Sequence, residues 1–347
     1  MSTQSALLLT EIGKPLAKGI LPKPDSYELK AKEVLVKITA AGLAPLDQKF
    51  RDRGELGIGA RLPAVISGDI VGEVIKGGPE NEFPLGIHIF SQMLFSLPQG
   101  GALQEYTIVN GEYAAAVPNN ISDTEAALYP INLVTAAMSI FSANGLNLPL
   151  PETPEANGFD YASQKVVIIG SGCNTGKLAV QLCKLAGVGT IIAIASPSNK
   201  EILEQYGATH IIARQDANIE EQVRAIVGDE LIYVYDAYTF GDLSLGASLL
   251  SNTKKGVFVH NGSGIIPDAV LSEKKEGLDD KRILGFSHFI PEFGRLLWQK
   301  IPDWLVSGQI QPLAYKTIED MDEAKVNEGL DEYAAGRSAE RYHVKIA

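Results

Sequence analysis

Polar and apolar residues alternate over Glu33 to Ala40 (EVLVKITA), as in a strand with one buried face. Val65 to Ile75 (VISGDIVGEVI) reads as a second strand. Its Gly68 and Gly72 mark a bulge or a close backbone approach. Gln104 to Val109 (QEYTIV) is a third. Residues 1–125 are therefore expected to be mostly β, with enough Gly and Pro between short strands for a rolled sheet or barrel. The pattern changes at Ser122, where Ser122-Asp123-Thr124-Glu125 is a capping box opening a run of helical period. That helix is expected to continue towards Phe141, with Pro130 breaking or kinking it. Leu148 to Gln164 is Pro-rich and polar, a surface loop or linker.

From Lys165 onward, strand and helix patterns alternate. Apolar runs at Lys165–Ile169, Thr190–Ala195, His210–Ala213, Leu231–Tyr235 and Gly256–His260 read as strands. Gly176–Ala186, Ser198–Tyr206 and Ile219–Val227 read as the helices between them. Short, wholly apolar strands separated by amphipathic helices predict βαβ units and a parallel sheet, so the fold class is α/β. After about Pro291 a helix carrying Trp298 and Trp304 is expected, then strands at Gln309–Lys316 and Tyr342–Ile346. These strands are expected to return to the first domain, because extending a parallel sheet would need more crossover helices.

The chain has 347 residues, enough for two domains. Lys and Arg total 30 and Asp and Glu total 42, a net charge of -12. That excludes broad attraction to nucleic acid or anionic membrane, while leaving room for a local basic pocket. With only Cys173 and Cys183, neither a four-cysteine zinc site nor a disulfide scaffold is available, and two reduced thiols are expected. The first residues lack a signal-peptide profile and no stretch approaches a membrane span, so a cytoplasmic protein is expected.

The segment with most chemical content is Val166-Val167-Ile168-Ile169-Gly170-Ser171-Gly172-Cys173-Asn174-Thr175-Gly176. It reads as strand, glycine turn and helix, and a helix N-terminus reached this way receives a pyrophosphate. Gly170 and Gly172 let the turn tighten, and Gly176 lets helix and strand approach. The second strand ends Ala195-Ser196-Pro197-Ser198-Asn199-Lys200, with no carboxylate before Glu201. An acid there would hold a ribose 2′-hydroxyl and repel a 2′-phosphate. Its absence, with Ser196, Ser198, Lys200 and Arg214 as donors, points to NADPH.

A β-rich N-terminal domain, a central nucleotide domain and a returning C-terminus resemble the medium-chain dehydrogenase/reductase superfamily. The motifs are Ala41-Gly42-Leu43-Ala44-Pro45-Leu46-Asp47-Gln48-Lys49, Gly68 to Val74, Gly101 to Tyr106, Leu128 to Ala136, Asp236-Ala237 and Gly262. The resemblance covers nearly the whole chain and falls on the zinc-free quinone oxidoreductase branch. It implies a GroES-like domain of residues 1–125 with 300–347, and a Rossmann NADPH-binding domain of residues 126–299. The polar turn Cys173-Asn174-Thr175, Ser196 to Asn199 and the Pro-rich insert before Lys165 are similar to fungal ToxD-like and trans-acting enoyl reductases. The chain departs from zinc-dependent relatives, with Leu43 where they place a Cys and Ser67-Gly68-Asp69 where they place Gly-His-Glu, so no metal is expected. It also has Ala44 for an Asn and Arg214 for an aromatic.

Without zinc there is no Lewis acid for an alkoxide, and conjugate hydride addition to an enone, enoyl thioester or quinone is the easier chemistry. The resemblance makes Lys49 a candidate donor to the substrate oxygen or a ribose, the alternative being a salt bridge with Asp47 or Asp52. It places Thr135 at the nicotinamide, the alternative being a hydroxyl bonded to its own helix. Pro45 and Asp47 belong to the cofactor-facing motif, and Asp47 more often orients structure than moves protons. Tyr238 is expected to line the nicotinamide edge, and Phe286-Ser287 to approach from the other side. His260 is a proton-donor candidate or a satisfied core histidine, and Arg341 reaches a phosphate or faces solvent. The expected substrate is a small molecule or a carrier-bound acyl group, with a polyketide synthase as possible partner and the chain a monomer or homodimer. The alternatives are a non-catalytic NADPH-binding sensor or structural protein and a zinc-free carbonyl or alcohol oxidoreductase.

Overall fold

The computed structural model describes residues 2–337 and 340–346, which divide into two compact units. One holds residues 1–131, 290–307 and 312–347, and the other residues 132–289 and 308–311.

The first unit opens with β1 (Thr3–Leu8) and β2 (Ala17–Pro22), an antiparallel pair. β3 (Glu33–Leu43) follows, then α1 (Pro45–Arg53), which starts on Pro45 and ends at Gly54 in the left-handed region. β4 (Asp69–Gly77), β5 (His88–Gln92), β6 (Tyr106–Asn110) and β7 (Ala114–Ala116) build outward from β3 by antiparallel pairing. β4 begins at Asp69, later than the apolar pattern predicts, because Ser67 just before it sits at φ 79° and cannot continue a ladder. Gly72 is the expected close approach, since a Cβ there would lie 2.1 Å from the Lys37 carbonyl oxygen. The helix expected from Ser122 to Phe141 is broken into α2 (Asp123–Ala126) and α3 (Tyr129–Phe141), with Pro130 in the first turn of α3, where its missing N–H costs nothing. Ser122 Oγ accepts from the Glu125 amide at 3.2 Å.

The second unit contains β8 (Lys165–Ile169), α4 (Asn174–Ala186), β9 (Thr190–Ala195), α5 (Lys200–Tyr206), β10 (His210–Ala213), α6 (Ile219–Val227) and β11 (Tyr233–Asp236). A short β12 (Gly241–Asp242), α7 (Ser244–Leu249), β13 (Gly256–His260), β14 (Gly264–Ile265), α8 (Asp268–Glu273) and β15 (Leu278–Arg282) complete it. Six strands form one parallel sheet in the order β10-β9-β8-β11-β13-β15, and β12 pairs β14 apart from it. Chain order reverses between β8 and β11, the point where open α/β sheets bind ligands at the carboxyl ends of their strands. Val167, Ile192, Val234 and Phe258 form the core under this sheet.

The chain then adds α9 (Pro291–Val306), β16 (Tyr315–Ile318), α10 (Glu323–Ala334) and β17 (Arg341–Lys345) to the first unit. β17 pairs antiparallel with β3 and parallel with β16, so the C-terminal strands complete the N-terminal sheet, in the order β16-β17-β3-β4-β5-β7 with β6 on β3. The strand expected over Gln309–Lys316 is reduced to β16, because Pro312 has no N–H to donate.

His343 on β17 is fully buried, stacked on Tyr315 with ring centroids 4.3 Å apart. Its Nδ1 donates to the Thr124 carbonyl and its Nε2 has no partner. Burial, aided by Arg341, pushes the imidazole down to about 3. A neutral His343 satisfies the fold, whereas a protonated one would bury an unpaired N–H. Below its ordinary value of 6.5 the unfolded chain takes up a proton that the folded chain refuses. The contribution is therefore complete above pH 6.5 and lost as pH falls towards 3. In urea unfolding at pH 7 and pH 4.5, the wild type should lose about 2–3 kcal/mol more than His343→Phe, and equal losses would show that His343 titrates normally.

Candidate functional site

In the second unit the turn after β8 is ordered by its own backbone. Gly170 and Ser171 amides both donate to the Ile194 carbonyl at 3.1 Å, and the Cys173 amide returns to the Gly170 carbonyl at 3.0 Å. The Cys173 thiol caps α4, accepting from the Gly176 amide at 3.4 Å, and burial pushes this thiol up. Thr175 Oγ1 donates to Asn132 Oδ1 at 3.2 Å. This leaves the Gly172 and Asn174 amides, at the start of α4, outside the set that ties the turn to itself. Glycine is required twice here. Gly170 sits at φ 75°, and a Cβ on it would lie 2.5 Å from the Tyr238 Cβ. A Cβ on Gly176 would lie 2.4 Å from the Gly170 carbonyl oxygen, the close helix–strand approach expected of the third glycine.

Other predicted residues gather around this turn. Asn199 lies so near Gly172 that a Cβ there would meet its Nδ2 at 2.9 Å. Ser196 Oγ and Ser198 Oγ are 3.1 Å apart in the same loop. The Arg214 amide donates to the Ala195 carbonyl at 2.9 Å, so this arginine leaves β10 beside the end of β9. Its exposed guanidinium has no side-chain partner among the described residues. Lys200 is exposed, with Glu204 4.0 Å away. Tyr238 is 59% exposed and held over Gly170, because Asp236 Oδ1 accepts from the amides of Tyr238 and Thr239. These groups lie around the glycine turn at the carboxyl ends of β8 and β9.

Thr135 lies on α3, half-buried. A Cβ on Gly285 would stand 1.7 Å from Thr135 Oγ1, so the backbone before Phe286 and Ser287 passes directly over this hydroxyl. Phe286 and Ser287 are themselves buried. Gly285 escapes a sequence reading, whose only signal is a glycine inside Ile283-Leu284-Gly285-Phe286.

Several expected roles need correction. The Ser171 hydroxyl donates to the Ile168 carbonyl at 2.6 Å and holds the turn from inside. His260 is buried, with Nδ1 2.7 Å from the Gly262 carbonyl and Nε2 3.0 Å from Asp280 Oδ1, so both nitrogens are engaged and it is the satisfied core histidine rather than a proton donor. Arg341 neither reaches a phosphate nor faces solvent. It is fully buried in the first unit, donating to the Leu43 carbonyl at 2.9 Å, to the Leu128 carbonyl at 3.3 Å and to Asp69 Oδ2 at 2.5 Å.

Asp69 is the partner the sequence did not reveal. Its Oδ1 accepts from the Ile131 amide at 2.6 Å, where an acid at the start of α3 also meets the helix dipole. Asp47 is buried as well, accepting from Ala44 at 2.7 Å and Ser67 at 3.0 Å, which holds Ser67 in its left-handed conformation. Burial pushes the Asp47 carboxyl up to about 7, against the pull of the Ala44 amide. Asp47 is thus a backbone clamp at the head of α1. Asp52 is bound by Arg51 and Gln48. Pro45 is exposed at the start of α1, and Lys49 is half-buried on the same helix.

A zinc ion does not fit this arrangement. Leu43 and Gly68 offer no ligand, both Asp69 oxygens are engaged, and no group of three or more His, Cys, Asp or Glu that could hold a metal occurs among the described residues. No helix of the described residues is long and apolar enough to cross a membrane.

Comparison with known proteins gives the same architecture. Residues 30–119 match the alcohol dehydrogenase GroES-like domain, and residues 175–292 match the zinc-binding dehydrogenase family. The dehydrogenase orsE of Emericella nidulans is 27% identical over the whole of both chains. The trans-enoyl reductase tazE of Aspergillus terreus is 29% identical over 80% of this chain and 90% of that one. The crystal structure of CurK enoyl reductase superposes with a TM-score of 0.79 at 18% identity, covering 99% of each chain. The chain belongs to the medium-chain dehydrogenase/reductase superfamily and is trans-acting enoyl reductase-like. It is an oxidoreductase of a nicotinamide-dependent family.

The buried pair gives a direct test. Arg341→Met leaves Asp69 charged and unpaired, and should cost about 3–5 kcal/mol in urea unfolding. Adding Asp69→Asn should restore part of that loss. NADPH affinity of the folded Arg341→Met protein should be unchanged, and a selective loss of affinity would return Arg341 to the phosphate.

Proposed function

We propose that this oxidoreductase uses NADPH, without zinc, to reduce activated C=C bonds in enoyl thioesters or enones, or quinones. The observation that carries the reading is the end of β9. Ser196, Ser198 and the unpaired Arg214 lie there beside the glycine turn, with no carboxylate before Glu201. A 2′-phosphate would meet donors and positive charge at that place, and no repulsion.

When bound, NADPH supplies a hydride from its nicotinamide. The protein's own part is binding and orientation. The Gly172 and Asn174 amides and the start of α4 receive the pyrophosphate. Tyr238 covers the turn, and Thr135 with the Gly285–Ser287 backbone holds the nicotinamide end. Lys49 donates to the substrate carbonyl oxygen, where charge gathers as an enolate forms. Conjugate addition suits this donor set, since its charge spreads over several atoms and needs no metal.

The enoyl reductase relatives support an acyl substrate, small or carrier-bound, in fungal secondary metabolism. In the carrier-bound case the partner is a polyketide synthase, and a cytoplasmic monomer or homodimer suits either role. The described residues do not favour a sensor over an enzyme, and membership of the family favours turnover.

Followed by nicotinamide fluorescence, NADPH should bind at least about tenfold more tightly than NADH, and Arg214→Ala should remove most of that preference. Equal affinity for the two cofactors would reject the 2′-phosphate pocket. Turnover of a crotonyl thioester or a simple quinone with NADPH should survive exhaustive dialysis against EDTA, whereas loss restored by zinc would reject the metal-free mechanism.

A further inference from the structure

Three polar side chains, two at the carboxyl ends of β11 and β13 and one on α3, take no part in ordering the glycine turn. Tyr235 on β11 is fully buried, and burial keeps its phenol protonated as a donor. Its hydroxyl donates to Oδ1 of Asn261, the residue directly after β13. The Asn261 amide nitrogen donates to the Ile283 carbonyl at 3.2 Å and lies 3.5 Å from Ser139 Oγ. Ser139 stands one helical turn after Thr135 on α3, and its hydroxyl donates to the Thr135 carbonyl at 2.8 Å. The Asn261 backbone is fixed too, its amide donating to the Asp236 carbonyl at 3.1 Å.

One amide side chain therefore grips two segments. Through Ser139 it holds the turn of α3 that presents Thr135. Through Ile283 it holds the strand exit that reaches Gly285 two residues later. Those segments meet where the Thr135 hydroxyl lies under the Gly285 backbone, a fit with no room for a methyl group. A side chain with its acceptor and both donors engaged has one orientation, so the spacing it sets is well defined.

We propose that Asn261 is the positioning residue of the nicotinamide end, fixing the Thr135 hydroxyl against the Gly285 backbone so that the nicotinamide half of the cofactor is held in one pose. This rests on the reading of Thr135 given above. Asn261 acts on the cofactor only through these two segments. It sets affinity for the nicotinamide half and leaves the adenosine half untouched.

The test uses calorimetric titration of the full chain with NADPH and with adenosine 2′,5′-bisphosphate, which has the 2′-phosphate and no nicotinamide. Asn261→Ala should weaken NADPH about tenfold and leave the bisphosphate unchanged. Thr135→Ala should also weaken NADPH, and Asn261→Ala should add nothing in that background. Ser139→Ala and Tyr235→Phe each remove part of the network, and should give smaller losses in the same sense. They carry the test if Asn261→Ala does not fold. Parallel weakening of both ligands, no weakening of either, or additive losses in the double variant would overturn the proposal. A Thr135→Ala protein with unaltered NADPH affinity would instead overturn the reading of Thr135. Failure of the wild type to bind the bisphosphate would overturn the 2′-phosphate pocket.

Discussion

The first unit is organised around one carboxylate. Asp69 is out of contact with water, so its charge must be met inside the protein. One oxygen takes the Arg341 guanidinium and the other takes the Ile131 amide at the head of α3. Arg341 in turn donates to the carbonyls of Leu43, at the end of β3, and Leu128, just before α3. Four segments distant in sequence thus converge on a single ion pair. Asp47 does similar work one layer away, tying Ala44 to Ser67. Two acidic residues in the family motifs are therefore committed to holding backbone and, for Asp69, the Arg341 guanidinium.

How much of this was legible depended on what each residue had to bury. Strands β8, β9 and β13 lie inside the sheet and are apolar but for one terminal residue each, and their limits coincide with the apolar runs. β15 belongs to the same sheet but reads Leu-Asp-Asp-Lys-Arg, because an edge strand exposes half its residues and needs no apolar run. Helices α1 and α10 were missed for a related reason. Their buried faces include Asp47, Gln48 and Arg51 on α1, and α10 meets that face through Asp331 and Asn327. Polar packing of this kind leaves little hydrophobic period to read, Phe50 on α1 and Val326 and Leu330 on α10 being the buried apolar side chains.

The candidate site divides along the same line. The glycine turn is local: its spacing lies within one βα unit, so strand, turn and helix could be assigned from a short stretch. Arg341 could not be placed, since nothing in a sequence registers position 341 against position 69. The same holds for Tyr235, Asn261 and Ser139, which come from three elements and meet only in the folded sheet. His260 illustrates the limit of position alone. It ends a strand at the ligand-binding edge, yet Gly262 and Asp280 occupy both of its nitrogens.

The pairing of β17 with β3 also sets an order of assembly. The Arg341 side chain meets the Leu43 carbonyl across 298 residues of sequence. All six strands of the parallel sheet lie between these partners, so that sheet can close on the ribosome while the N-terminal one still lacks two of its strands. Until β17 has been made, residues 40–43 of β3 lack that partner strand, and Asp69 lacks the Arg341 counter-charge. That interval is when the chain is most exposed to aggregation and to chaperones, and loss of β17 would prolong it indefinitely.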